Sequence, residues 1–529
     1  MSSPFASKLG TNYCPLDVEI PEIQAVLVEP LSRLRSLDDR IADLQKAIDE
    51  LAQERAGVKT YVDAHQALLS PIRRLPLDIL QEIFVACLPT HRNCVMSASE
   101  APVLLGRICS SWRALALSSP RLWSSVHIVE PDRAHWPAEL QAQRVEITKA
   151  WLGRSGQCPL AISLFGDARP DPASTEHRSA SVLETLIPFA SRWHNISLTS
   201  TSSGLNSLSC ITENDVPMLT TLEISEIYRS AESPGTRWES FGLLHAPNIS
   251  SFTFISGNSH PLTLPLQWDR LLSLSLDSSS AFAVTSEMAV EIFSRCPRLQ
   301  TCRLKVNDEV QSAVEESQGT ILGFPHLQSL KIISVGIPIN TVGGLFSRVS
   351  LPELQHLTLL GHLGREADGE FAFFPFLTTL PRLQSLSTDS QLYDDQALTG
   401  LLHALPATLR QFQVICRDSW RHVIDDDALL ALTPSPDRPF KCPVLEELKI
   451  TYSCSLSDEA LLKFILARMT IQPVTLRSVE IHFPRQMELD LRPDIQSFLD
   501  GGLKVDARYR SPPLPRLSPW VGLKEDYKA

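Results

Sequence analysis

From Leu34 the apolar residues step by alternating threes and fours through Leu37, Ile41, Leu44, Ile48, Leu51, Val58, Val62 and Leu69, interrupted by Arg55 and His65. This is a heptad seam about five repeats long, and it predicts one long helix over residues 31–69. Asp38, Asp39, Arg40, Asp43, Lys46, Asp49, Glu50 and Glu54 fill the positions between, so the stripe is narrow. A single helix cannot satisfy such a seam. It must self-associate as a coiled coil or lie on the rest of the chain, and length and pattern fit both.

A compact helical stretch follows. Pro76 suits a first helical position, and Ile79, Leu80, Ile83, Phe84 and Cys87 then form one apolar face. Pro89 ends this helix. After a polar linker, 90–101, a second periodicity runs through Leu104, Leu105, Ile108, Cys109, Trp112, Leu115 and Ala116 and stops at Ser118-Ser119-Pro120, with Leu122 and Trp123 directly after.

Beyond Trp123 one pattern recurs: Pro or polar, x, Leu, x, x, Leu, x, aliphatic. It reads Pro217-Met218-Leu219-Thr220-Thr221-Leu222-Glu223-Ile224 and returns as Pro325-His326-Leu327-Gln328-Ser329-Leu330-Lys331-Ile332 and Pro443-Val444-Leu445-Glu446-Glu447-Leu448-Lys449-Ile450. The first anchor falls at Trp193, Leu219, Ile249, Leu271, Leu299, Leu327, Leu354, Leu383, Leu409, Leu445 and Leu476. The spacing averages about 28 residues, the period of leucine-rich repeats. The final x-Leu-x-aliphatic of each unit alternates as a strand does, with earlier strands expected around 126–128 and 160–164. Amphipathic helices are expected at 287–295, at 395–405 and from Ser457, whose hydroxyl can cap the first turn. Each unit can bury its Leu and Ile face only against its neighbours, so the array is expected to hold by stacking. Ten intervals of about 4.8 Å give a strand surface on the order of 48 Å long, enough for a protein ligand.

Composition narrows the partners. At 529 residues, with 43% hydrophobic and 20% charged side chains, most of the chain should fold. The 48 basic and 60 acidic residues leave a formal charge of -12 with no basic run, which disfavours nucleic acid and anionic membrane. Residues 1–20 lack a basic stretch followed by an apolar one, and no segment of about 18 apolar residues occurs, so a soluble cytoplasmic or nuclear protein is expected. Eleven cysteines stand singly with no C-x-x-C pair, which suits reduced, buried thiols. N-x-S triplets at Asn195 and Asn248 read as chance matches on strands.

The sequence lacks a phosphate-binding G-x-x-x-x-G-K-[ST], a G-x-S-x-G elbow, H-E-x-x-H and spaced Cys or His ligands. No catalytic residue, metal or cofactor is expected.

Leu75-Pro76-Leu77-Asp78-Ile79-Leu80-Gln81-Glu82-Ile83-Phe84, followed by Ile108-Cys109-Ser110-Ser111-Trp112-Arg113 and Pro120-Arg121-Leu122-Trp123, resembles the F-box. Placed before leucine-rich repeats, it resembles the substrate-receptor subunits of cullin-RING ubiquitin ligases. The resemblance covers about 50 residues specifically and the repeats in architecture only. It implies that Leu75, Pro76, Ile79, Leu80, Ile83 and Phe84 contact the adaptor subunit of an SCF-type ligase and, through it, a cullin. Cys109 and Trp112 would partly pack the module, and the repeats would hold a protein substrate. The linker is longer than the motif usually has. The same apolar residues also suit a helical cap on the first repeat, and the whole chain also suits a scaffold that assembles a complex without ubiquitin.

The expected fold is therefore mostly α/β. A flexible segment, 1–30, precedes a coiled-coil helix, 31–69, a small all-α F-box, 70–123, and a leucine-rich-repeat solenoid, 124–484, drawn as a horseshoe of strands with outer helices. Residues 485–529 form a terminal cap or a strap.

Overall fold

The computed structural model describes residues 3–130, 138–166, 182–227, 236–256, 259–278, 284–306, 321–334, 343–361, 373–390, 395–415, 424–435, 440–451 and 456–509. The chain forms two compact units, Met1–Ile83 and Phe84–Ala529.

The first unit is dominated by helix α1, Ile20–Leu68. It begins well before residue 31, so residues 20–30, expected to be flexible, are helical and carry Pro30 within the helix. Residues 3–19 fold back on the helix start through Glu19. That carboxylate accepts from Lys8 Nζ at 2.8 Å, Tyr13 Oη at 2.8 Å and the Leu16 N–H at 2.9 Å. Led by the Lys8 bond, these contacts lower the Glu19 pKa to about 2. The negative charge also suits a helix N-terminus.

The second unit is built on a parallel sheet of fourteen strands that lie side by side in sequence order. They are β1 (Ser125–Glu130), β2 (Leu160–Gly166), β3 (Trp193–Thr201), β4 (Thr221–Ile227), β5 (Ser251–Ser256), β6 (Ser273–Ser278) and β7 (Thr301–Val306). After the short β8 (Leu322–Gly323) come β9 (Ser329–Ser334), the short β10 (Val349–Ser350), β11 (His356–Gly361), β12 (Ser385–Asp389), β13 (Gln411–Ile415), β14 (Glu447–Thr451), β15 (Ser478–Phe483) and β16 (Lys504–Tyr509). The short pair β8 and β10 forms its own two-stranded sheet. One strand per repeat, all parallel, is an arrangement compatible with a leucine-rich-repeat-like solenoid.

The repeat pattern explains the register. In β9 Leu330 and Ile332 turn inward while Ser329 and Lys331 turn outward, and each pairs with its equivalent in β7 and β11: Cys302, Leu330 and Leu357 in one row, Leu304, Ile332 and Leu359 in the next. The anchor leucine before each strand is buried too, as at Leu219, Leu327, Leu383 and Leu445. Between anchor and strand the backbone makes a repeating joint. The Gln300 carbonyl accepts the N–H groups of Gln328 at 2.8 Å and Ser329 at 3.0 Å, and the Gln328 carbonyl accepts those of Gln355 and His356 at 2.8 and 2.9 Å. The same sharing runs from Thr220 through Ser250, Leu272, Gln355, Gln384 and Arg410 to Glu446.

What returns the chain between strands varies. Helices Ser286–Arg295, Asp426–Leu432 and Asp458–Thr470 are capped by Thr285, Asp425 and Ser457, whose side-chain oxygens accept from Met288, Ala428 and Ala460 N–H groups. Helix Asp395–Ala404 matches the expected 395–405. Between β3 and β6 the described connections are mostly short 3-10 turns, because segments such as 238–246 are too short and too broken for an α-helix. Asn248 lies in one of these connections and not on a strand, its side chain donating to the Pro217 carbonyl at 2.7 Å.

Cysteine behaviour divides in the same way. Cys94, Cys296, Cys302 and Cys442 are buried, and burial raises their pKa values, to about 12 for Cys296 and about 11 for Cys442. Cys14, Cys87, Cys109 and Cys210 are exposed, contrary to the expectation of buried thiols, while Cys416 and Cys454 lie outside the described residues. No described helix is long and apolar enough to cross a membrane.

The segment after 484, expected as a cap or strap, adds helix Arg492–Asp500 and the last strand, β16, to the sheet. Pro512, Pro513, Pro515 and Pro519 lie outside the described residues. The end is pinned by Asp458, which is 1% exposed. Its carboxylate accepts from Arg485 Nη2 and Nη1 at 2.8 and 3.2 Å, from Glu488 and Leu489 N–H groups at 2.8 and 2.9 Å, and from Tyr509 Oη at 3.0 Å. Burial works against the charge, but these bonds outweigh it and lower the Asp458 pKa.

Two outcomes follow. Leu330→Ala should lower unfolding free energy in urea melts by about 2–5 kcal/mol, whereas Ser329→Ala on the outer face should stay within about 0.5 kcal/mol. Asp458→Asn leaves Arg485 without its buried carboxylate, with only the exposed Glu488 at 3.6 Å in its place, and should cost about 3 kcal/mol at pH 7. Because the folded pKa is the lower one, the carboxylate's contribution is complete above its ordinary value and fades as pH falls through the folded value. The gap between wild type and Asp458→Asn should therefore close below about pH 4 in melts followed by circular dichroism.

Candidate docking surface

The candidate residues begin at a 3-10 turn, Pro71–Arg74, after which Leu75 is extended (φ −69°, ψ 136°). Helix α2 runs Leu77–Ala86, and the Pro76 carbonyl accepts the Leu80 N–H at 3.0 Å. Pro76 therefore sits just before the helix, where its missing N–H costs nothing.

The apolar residues of α2 divide between two faces. Leu80 and Phe84, four residues apart, are 5% and 0% exposed. Ile79 and Ile83, also four apart, are 46% and 38% exposed, and Leu77 is 63% exposed. Leu80 and Phe84, expected as adaptor contacts, are thus buried. Leu75 is half-buried and Pro76 exposed. The available residues are Leu75, Pro76, Ile79 and Ile83, joined by Leu77, which sequence reasoning passed over because it lay outside the chosen stripe.

In the second unit, Phe84 stacks at a tilt on Trp112 with ring centroids 4.8 Å apart, the packing role expected of Trp112. The second helical stretch is not continuous. It divides into α3 (Leu105–Ile108) and α4 (Ser110–Leu117) at Cys109, whose extended backbone (φ −155°, ψ 169°) breaks the run. Cys109 Sγ accepts the Trp112 N–H at 3.4 Å, so this thiol caps α4 and stays exposed. Leu104, Ile108 and Leu117 are exposed as well, at 41%, 55% and 44%.

The same module closes the first repeat. Trp123, 4% exposed, donates from Nε1 to the Ala116 carbonyl at 2.8 Å and meets Trp151 edge-on at 4.8 Å. The linker 90–101, read as a polar spacer, covers the edge of the sheet. The Cys94 carbonyl accepts the His127 N–H at 2.6 Å, Asn93 donates to Ser163 Oγ at 3.0 Å, and Ser125 Oγ donates to Asn93 Oδ1 at 2.9 Å. This linker therefore occupies the hydrogen-bonding edge of β1 and blunts it against pairing with other chains. The short run Cys94-Val95-Met96 inside a polar stretch was the one signal of that role in the sequence.

The middle row of the sheet's outward face is polar. It reads Ser197, Glu223, Thr253 and Ser275 in β3–β6, is charged at Arg303 and Lys331, uncharged at Thr358, Ser387 and Gln413, and charged again at Lys449, Glu480 and Asp506. Lys305 and Arg303 approach Asp277 at 3.0 and 3.8 Å, and Lys449 and His482 approach Glu480 at 2.7 and 3.2 Å. The Lys449 bond leads the lowering of the Glu480 pKa. Such partly exposed pairs add little stability. They do present directed charges and hydroxyls to a ligand.

No family model matches the chain, and no curated protein matches it. Among solved structures, a protein from Bacteroides fragilis is similar over 49% of this chain and 66% of its own, at 15% identity and a TM-score of 0.28. TLR13 in its complex with ssRNA13 is similar over 74% of this chain and 46% of its own, at 12% identity and a TM-score of 0.29. The chain thus spans less than two thirds of either structure's length.

The division of α2 predicts separate consequences. Phe84→Ala should cost about 3–5 kcal/mol by removing a fully buried ring. Ile79→Ser with Ile83→Ser should change thermal midpoints by no more than a few degrees, since both side chains are already partly in water.

Proposed function

We propose that this chain is a non-enzymatic recognition subunit. The start of α2 docks on the adaptor of an SCF-type cullin-RING ubiquitin ligase, and the outward face of the sheet holds a protein substrate. The observation that carries the docking half is the exposure of Leu77, Ile79 and Ile83 on a helix whose other face is fully buried. A short helix that needed these side chains only for its own packing would have turned them inward. Central aliphatic anchors of this kind usually dominate a protein interface. The F-box resemblance of the same segment supplies the partner. Cys109 and Trp112 serve the module by capping α4 and supporting Phe84.

The substrate half rests on the parallel sheet, whose middle outward row is polar or charged while the two inward rows beside it are almost wholly apolar. A long surface of fixed strands with directed hydrogen-bonding groups suits a folded protein or an extended segment of one. Ubiquitin transfer itself would belong to other subunits, so no catalytic group or cofactor is required of this chain.

The test is the double variant Leu75→Ala/Pro76→Ala in the full chain. Adaptor and cullin should be lost from pull-downs, with affinity weakened by about thirtyfold or more, while the circular dichroism spectrum and thermal midpoint match wild type. A folded double variant that keeps both subunits would sink the docking assignment. A wild-type chain that captures neither subunit would favour the ubiquitin-independent scaffold.

A further inference from the structure

The seam of α1 is exposed along its whole length: Ile41, Leu44, Ile48 and Leu51 are 63%, 62%, 57% and 64% exposed. We infer that α1 joins a second copy of this chain in a parallel, in-register, two-stranded coiled coil. This goes beyond the adaptor reading and does not rest on it.

Three features of the helix commit the occupant and its direction. First, written as a heptad, the seam places Leu34, Ile41, Ile48 and Val62 at a and Leu37, Leu44, Leu51 and Val58 at d, with Arg55 at a and His65 at d, so its central heptads carry Ile at a and Leu at d. Branched residues at a with Leu at d favour two parallel strands. Second, the flanking charges complement themselves. In a parallel pair each g residue faces the e residue five positions on in the second copy. Arg33 then faces Asp38 of the second copy, and Glu54 faces Lys59 of the second copy; the symmetry doubles both pairs. The remaining g-to-e pairs are Arg40 with Gln45, Ala47 with Ala52 and Tyr61 with Gln66, so no like charges meet among the g-to-e pairs. An antiparallel pair can set Arg33 against Glu54 only by leaving Asp38 and Lys59 without opposite charges. Third, Arg55 occupies an a position and faces Arg55 of the second copy, with Glu54 of each copy beside the pair to offset the two charges. A single polar residue at a costs stability but fixes register, because any slip would place Arg55 against aliphatic side chains.

The area is also sufficient. Eight aliphatic seam residues per copy, each burying about 100 Å2, give roughly 1,600 Å2, the size of a stable protein interface. Self-association would give the chain two docking segments and two repeat arrays, so a substrate with two matching segments would be held by avidity.

The experiment is light scattering and sedimentation of the full chain at about 10 µM. Wild type should have twice the 58.8 kDa chain mass. Arg33→Glu with Glu54→Lys turns all four charge pairs repulsive in the parallel register and should weaken association roughly a hundredfold. Adding Asp38→Lys and Lys59→Glu should restore it. In the antiparallel register the double variant would merely exchange Arg33 and Glu54 charges and keep its affinity. A single-chain mass for wild type, an unchanged double variant or a quadruple variant that stays monomeric would each overturn the inference.

Discussion

The joint at the start of each strand is the constraint on which the second unit depends. One carbonyl, such as that of Gln300, takes two N–H groups from the next repeat, and that repeat offers its own carbonyl onward. Each repeat is thereby spaced by its predecessor before any side chain packs. The leucines then fill the interval so created. Leu327 holds the approach to the strand while Leu330 and Ile332 complete two inward rows. The spacing also tolerates replacement of a returning helix by a 3-10 turn, because the joint does not involve the return segment and a turn can still cover the inward row, as Trp238 does against Phe254 at 5.5 Å.

A stack of this kind has two raw ends, and the chain closes them by different means. At the first, residues 93–95 occupy the edge of β1, and Trp123 seats the helical module on Trp151. At the last, Asp458 gathers Arg485, Tyr509 and two backbone N–H groups, while Phe483 and Tyr509 stack with centroids 4.8 Å apart. Nearby, Arg468 is only 2% exposed and donates to the carbonyls of Leu432, Lys441 and Cys442 at 2.7–3.1 Å. Burial lowers its pKa to about 10, which still leaves it charged at neutral pH. Carbonyl dipoles, with the Phe440 ring at 4.7 Å, replace its hydration.

The apolar surfaces left over are concentrated in the N-terminal part of the chain. The outer face of α2 and the seam of α1 expose aliphatic side chains in ordered rows, whereas the sheet turns most of its aliphatic residues inward. Exposed rows on regular helices are binding surfaces by physical default, since their area in water is uncompensated.

Much of this architecture was legible in the sequence. The anchors from Trp193 to Leu476, the strands after them and the long heptad helix follow from periodicities of two, three and a half, and about 28 residues, which depend on backbone geometry alone. Local chemistry also marked the caps at Ser457 and the stop at Pro89. Tertiary structure decided what periodicity cannot. Ile79 and Leu80 are equally apolar neighbours on one helix, and only the position of Trp112 and its surroundings determines that Phe84's face is interior while Ile79's is exposed. Cys109 fell on the apolar stripe, yet its backbone is extended and its sulfur caps a helix. The linker 90–101 looked like a spacer because its contacts, at Ser125, His127 and Ser163, lie 30 to 70 residues away in the chain. Spacing reveals which residues share a face, because that is set within a few residues of chain; what meets that face depends on contacts made at long range.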